Sequence, residues 1–205
     1  MQGAILISLM FTTPKYNAEQ IDKIGNAIVY LAEKIPHLSK TKLLKLSYIL
    51  EEESARRWGL PFCNIKFELW KMGPVSYDMY EETSNRPIGL APYISNSQKK
   101  ISPKIKFSDD EFTDAEIALM DEIIKEYGKM SARSLIEYTH REDSLWTKTA
   151  KENGVYEALE QGLISYYPVQ LDLTRVISEE WMRERYLSQI EFLQRQKNSS
   201  ALIWN

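Results

Sequence analysis

Phe67-Glu68-Leu69-Trp70-Lys71-Met72-Gly73-Pro74-Val75-Ser76-Tyr77-Asp78-Met79-Tyr80 is the stretch whose reading decides the fold. Ile65, Phe67 and Leu69 alternate with Lys66, Glu68 and Trp70, the period-two pattern of a strand with one buried face. Gly73-Pro74 interrupts it. Proline has a fixed φ and no N–H, which suits the first position of a helix, and Val75, Met79 and Tyr80 follow at helical spacing. The stretch reads as strand, sharp corner and helix, with Trp70 just before the corner.

Working outward, Ser39 suits the cap of a helix over Lys42–Trp58. Its first half (Leu43, Leu44, Leu46, Tyr48, Ile49, Leu50) is apolar almost all round, the mark of a buried helix. Its second half is polar. Glu52/Arg56 and Glu53/Arg57 are i,i+4 pairs, and Glu51-Glu52-Glu53 reads as a solvated face or an acidic contact. Gly59 and Pro61 end the helix. The expectation is a central post that emerges into solvent near Trp58.

Before it, Asn17 and Gln20 have capping-box spacing, with Ile21, Ile24, Ile28 and Leu31 on one helix face and Pro36 at its close. After Tyr80, Asn85-Arg86-Pro87 and Gly89 mark a loop. Residues 92–107 read as an extended, solvated hairpin carrying Lys99, Lys100, Lys104 and Lys106. Thr113-Asp114-Ala115-Glu116 is a capping box for a helix ending at Gly128. Ser131 opens the next helix, which runs to Thr139-His140. Asp143 or Ser144 then begins a turn with Trp146. Val169–Leu173 alternates like a short strand, and Ser178 opens a final helix.

Three motifs in this order, Lys42-Leu43-x-Lys45-Leu46-x-Tyr48, then Trp70-x-x-Gly73-Pro74-Val75, then Leu135-x-x-x-Thr139-His140 with Trp146, resemble the Panacea domain, the SocA-like antitoxin family. The likeness runs from about Asn17 to Glu152. Glu51-Glu52-Glu53 and Leu145 depart from it, the second standing where a proline commonly precedes the last Trp. The expected fold is mainly α (α+β), a helical domain around a buried central helix with a small antiparallel sheet or hairpin. Residues 15–177 would form the Panacea-like domain, and residues 178–205 a C-terminal helix and tail.

The resemblance implies the antitoxin of a bacterial or phage toxin–antitoxin pair, a phage-defence class, that neutralises its toxin by direct binding without turnover. The expected partner is a toxin protein encoded by an adjacent gene. Candidate anchors are Tyr48, Trp70, Lys71, Gly73, Pro74, Val75 and Tyr77, with His140 and Trp146 in support, because Trp, Tyr and Arg dominate interface hot spots. The alternative is a DNA-binding autoregulator using the Ser131 helix or the lysine hairpin. Arg133 is the only obvious base or phosphate contact in that helix, so nucleic acid is the weaker partner.

Composition is that of an ordinary soluble globule. The chain has 205 residues, enough for one large domain, and a net charge of −3 argues against a strong phosphate-binding field. The single Cys63 excludes an internal disulfide and suits the cytoplasm, and His37 and His140 lack metal-ligand spacing. Ala4–Met10 is too short an apolar run for a membrane span, and Met10 is an alternative start to Met1. Ser144, His140 and Asp143 form a triad only on paper, with no G-x-S-x-G elbow, and there is no phosphate loop. No cofactor is expected.

Overall fold

The computed structural model describes residues 16–84, 87–97 and 100–203, the last of these without side chains beyond residue 198. The Met1/Met10 question, Lys99 and the final Trp204-Asn205 lie outside them. The chain runs α1 (Ala18–Lys34), α2 (Lys40–Trp58), β1 (Glu68–Trp70), β2 (Gly73–Val75), α3 (Tyr77–Glu82), β3 (Ile94–Ser97) and β4 (Lys100–Pro103). It continues with α4 (Asp114–Tyr127), α5 (Ala132–Thr139), α6 (Leu145–Glu152), α7 (Tyr156–Glu160), β5 (Tyr166–Gln170), a 3-10 turn (Leu173–Val176) and α8 (Glu180–Ile203). Helices dominate, and the described strands form two small antiparallel sheets, β2-β1-β5 and β3-β4. The α+β expectation holds.

α2 is the post about which the rest is arranged. The Ser39 hydroxyl accepts from the Lys42 N–H at its start, and Gly59 closes it in the left-handed region at φ 60°. α3, α4, α5, β2 and the 3-10 turn all pack on it. Leu43, Leu44, Leu46, Tyr48, Ile49 and Leu50 are buried, as their all-round apolar pattern demands.

The far half of α2 departs from the expectation. Glu51 and Glu52 are buried, and α8 covers the end that was expected to reach solvent. Met182 packs against Gly59, and Arg185 Nη1 donates to the Trp58 carbonyl at 3.3 Å. Glu51 is held because the chain after α2 turns back on it. Glu51 Oε1 accepts from the N–H groups of Cys63 (2.7 Å) and Ile65 (3.1 Å), and Oε2 from that of Phe62 (2.9 Å). Those donors belong to an irregular segment with no ladder to satisfy them, so a carboxylate takes its place. The i,i+4 pairs do form, with Arg56–Glu52 at 3.5 Å and Arg57–Glu53 at 3.1 Å.

Gly73-Pro74 is the second correction. It does not start a helix; it forms β2, paired with β1 in the register Leu69↔Pro74 and Trp70↔Gly73. The helix begins later, where the Ser76 hydroxyl accepts from the Met79 N–H. Proline is tolerated because β2 is an edge strand, where a missing donor breaks no second ladder. On the other side, β5 pairs with β1 over Tyr166–Gln170 rather than over Val169–Leu173. Its register shifts between Tyr167 and Gln170, an interval that contains Pro168, which has no N–H to donate. Asn17 caps α1 as read, but Gln20 does not complete a capping box. Its amide donates instead to the carbonyls of Cys63 and Asn64, both at 3.0 Å. The Thr113/Glu116 box, the Ser131 and Ser144 caps and the β3–β4 hairpin form as expected.

Candidate partner-binding face

The three motifs meet at the β1–β2 hairpin. Lys45, from the first, lies under it with 1 % of its surface exposed, and its ammonium donates to the Pro74 carbonyl at 2.6 Å. Burial pulls its pKa from the usual 10.5 down to about 7. Lys42 reaches the other way and donates to the Gly128 carbonyl, capping the end of α4. Tyr48 stacks edge-on to Phe67 at 5.3 Å and donates to Glu52 at 3.1 Å.

The third motif closes the hairpin from outside. Trp146 is fully buried, and its indole N–H donates to the Trp70 carbonyl at 3.1 Å. The His140 ring stacks flat on it, with centroids 3.8 Å apart and 7° between planes. His140 Nδ1 lies 2.8 Å from Glu160 Oε1 and donates to that carboxylate, which leaves Nε2 as a buried lone pair. Burial lowers the His140 pKa, opposed by Glu160, so the neutral ring is favoured. Gly73 is needed at this contact. Its φ is 86°, and a Cβ there would stand 2.5 Å from Thr139 Oγ1 and 3.2 Å from His140 Nε2.

His140, Ser144 and Asp143 do not assemble into a triad. The Ser144 hydroxyl accepts from the Thr147 N–H, Asp143 pairs with Arg141 at 3.1 Å, and His140 turns to Glu160. In the helix pair around Gly128, Arg133 projects into solvent and pairs with Glu137 at 3.0 Å.

With the hairpin locked from both sides, Trp70 is held at its outer corner. It is half-buried and gathers rings from two other elements: Tyr77 (6.5 Å) and Tyr80 (5.3 Å) from α3, and Tyr166 (5.8 Å) from β5. Tyr77 is 49 % exposed, Tyr80 39 % and Tyr166 55 %, and Met72 at the hairpin tip is 49 % exposed. The Lys40 ammonium sits 3.3 Å over the Tyr80 ring, a cation–π contact at the rim. Lys71 is exposed beside Gly162. The expected anchors therefore divide. Trp70, Lys71 and Tyr77 reach the surface, whereas Tyr48, Gly73, Pro74 and Val75 are buried and offer no side chain to a partner. Tyr80, Tyr166 and Lys40 were not singled out. Tyr80 was legible from its i,i+3 spacing to Tyr77, but nothing local connects Tyr166 to Trp70.

The fold and this face define a small helical α+β protein whose sequence motifs brace one hairpin and leave an aromatic surface beside it. A family model described as antitoxin SocA-like, Panacea domain, matches residues 43–147, just over half of the chain, and the chain belongs to that family. Membership supports an antitoxin-like role. No curated protein and no solved structure gives a significant match. Among the described residues, no helix is long and apolar enough to cross a membrane.

The Trp146 indole gives a direct check on the bracing. Trp146→Phe keeps a ring under His140 but leaves the Trp70 carbonyl without that donor. The expected cost is about 1 kcal/mol, seen as a Tm lower by about 2–4 °C in a thermal melt. An unchanged melt would remove the indole N–H from the set of contacts holding the hairpin.

Proposed function

We propose that this protein is the antitoxin of a bacterial or phage toxin–antitoxin pair, and that it neutralises the toxin by stoichiometric binding without turnover. The toxin would be encoded by an adjacent gene, and the complex would form in the cytoplasm. The observation that carries this reading is the exposed cluster of Trp70, Tyr77, Tyr80 and Tyr166 on a hairpin braced by the family's own motifs. Rigid aromatics lose little entropy on binding and bury large areas, so such a cluster suits a protein interface. The domain would span residues 15–177, because β5 lies beyond the matched residues yet completes the sheet. Residues 178–205 would be an added layer, docked through the buried Met182 and Tyr186.

The test is co-expression with the product of the neighbouring reading frame. Growth arrest by the neighbour alone, relieved by this protein with a co-purifying complex, is the expected result. Trp70→Ala and Tyr77→Ala should each weaken the complex about tenfold or more, in proteins whose melting curves stay cooperative. The backbone carbonyl that receives the Trp146 N–H survives both changes. A harmless neighbour, or rescue without a complex, would sink the antitoxin reading. Full neutralisation by a folded Trp70→Ala variant would move the contact elsewhere.

A further inference from the structure

At the other end of α2, about 24 Å along the helix from Lys40, a second surface has a different character. A groove of about 440 Å³ is lined by Arg56, Arg141, Lys148, Arg175 and Arg183. These five cations come from α2, the turn before α6, α6 itself, the 3-10 turn and the start of α8. Among the described residues Glu52 and Asp143 are the lining carboxylates, and Glu53, Glu152 and Glu180 pair with Arg56, Arg175 and Arg183 from the rim, in a chain whose net charge is −3. Leu145, Val176 and Ile177 supply apolar lining between them.

We propose that this groove binds an acidic segment of a partner protein, one with Asp or Glu side chains spaced by apolar residues. The guanidiniums already display the recognition geometry. Arg175 holds Glu152 in a two-pronged contact at 2.5 and 2.7 Å, and Arg183 holds Glu180 at 2.7 Å while donating to the Ile177 and Ser178 carbonyls. The carboxylates in these pairs are exposed, Glu152 by 53 % and Glu180 by 74 %, so both pairs are open to water and to an incoming carboxylate. Arg141 is held for the same task, its guanidinium lying 4.1 Å over the Tyr138 ring, donating to the Tyr138 carbonyl and pairing with the exposed Asp143 at 3.1 Å. Lys148 is exposed and stands in no ion pair with a described residue. A run of nucleic-acid phosphates fits less well, because it offers nothing to the apolar lining of Leu145, Val176 and Ile177 that accompanies the cations. The groove is separate from the Trp70 face, and the inference does not rest on the antitoxin reading.

The test uses the full chain and a short fluorescein-labelled peptide of Glu, Leu and Ser, with a Gln-for-Glu control and a labelled oligonucleotide of similar length. Fluorescence polarisation should show binding of the Glu peptide that weakens as salt is raised, and at least about tenfold weaker binding of the control. Lys148→Glu combined with Arg175→Glu should weaken the Glu peptide about tenfold or more, and Trp70→Ala should leave it unchanged. Should the double variant fail to melt cooperatively, Lys148→Glu alone decides, since it removes none of the hydrogen bonds described above. Equal binding by the charge-reversed protein, no binding of the Glu peptide, or tighter binding of the oligonucleotide would each overturn the proposal.

Discussion

Glu51→Ala is expected to lower the stability of this protein by about 3–5 kcal/mol, against a total of about 5–15 kcal/mol for a typical domain. The N–H groups of Phe62, Cys63 and Ile65 all end on this one carboxylate, at a place with no solvent to replace it. A buried donor left without a partner costs about 1–3 kcal/mol. Three such donors exceed what relief from burying the carboxylate gives back, and a water entering the cavity would recover only part. Glu51→Gln separates the contributions. Its carbonyl oxygen still serves Cys63 and Ile65, but its NH2 turns a donor toward the Phe62 N–H, so an intermediate loss is expected. Urea unfolding of the three proteins provides the measurement. A loss below about 1 kcal/mol for the alanine variant would mean that the segment finds other acceptors and that Glu51 is not its keystone.

Lys45 gives the second large effect, as a dependence on pH. Its folded pKa is about 7 against an ordinary value of 10.5, because burial disfavours the ammonium. The unfolded chain therefore binds more protons between those values, and stability rises as pH increases through that window. From pH 7 to pH 9 the gain from this one group is about 2 kcal/mol. Glu51 acts with the opposite sign, mostly below pH 7. Burial, offset by its three N–H donors, raises its pKa from 4.5 to about 7, so its contribution falls as pH rises from 4.5 to 7. The end of that titration reaches past pH 7, so the lysine is isolated by comparing urea melts at pH 7 and pH 9 between two proteins that share Glu51. The wild type should gain stability over that interval, and Lys45→Met, which has nothing to titrate there, should show a gain smaller by about 2 kcal/mol. Equal gains in both proteins would mean that folded Lys45 keeps its proton up to pH 9, with a pKa near the ordinary value; a folded pKa below 7 would instead make the difference larger than about 2 kcal/mol.

Glu51 shows why the polar half of α2 was misread. Glu51-Glu52-Glu53 has the composition of a solvated face, and no local rule distinguishes a carboxylate in water from one that caps a returning loop. Glu53 is half-buried as a surface residue would be, while Glu51 is sealed by residues that lie 11 to 14 positions later. The same reasoning applies to Gly73-Pro74. Proline's missing N–H is compatible with a helix start and with an edge strand, and only the pairing of Leu69 with Pro74 selects the strand.

Sequence by itself determined the features that depend on near neighbours. Period-two alternation placed Ile65, Phe67 and Leu69 on the buried face, all-round apolarity made α2 the post, and short polar side chains marked the caps of α1, α2, α4, α5 and α6. The order of the three motifs pointed to the family. Tertiary structure alone decided which of the motif residues reach the surface. Trp70 became the centre of an exposed cluster because β5 carries Tyr166 to it from 96 positions away, while Tyr48 and Pro74 went inside. The basic groove likewise exists only once four distant segments converge on the end of α2. Hydrogen-bond caps and hydrophobic periods are written over a few residues. Burial of a charge and the assembly of a surface depend on what the rest of the chain brings alongside.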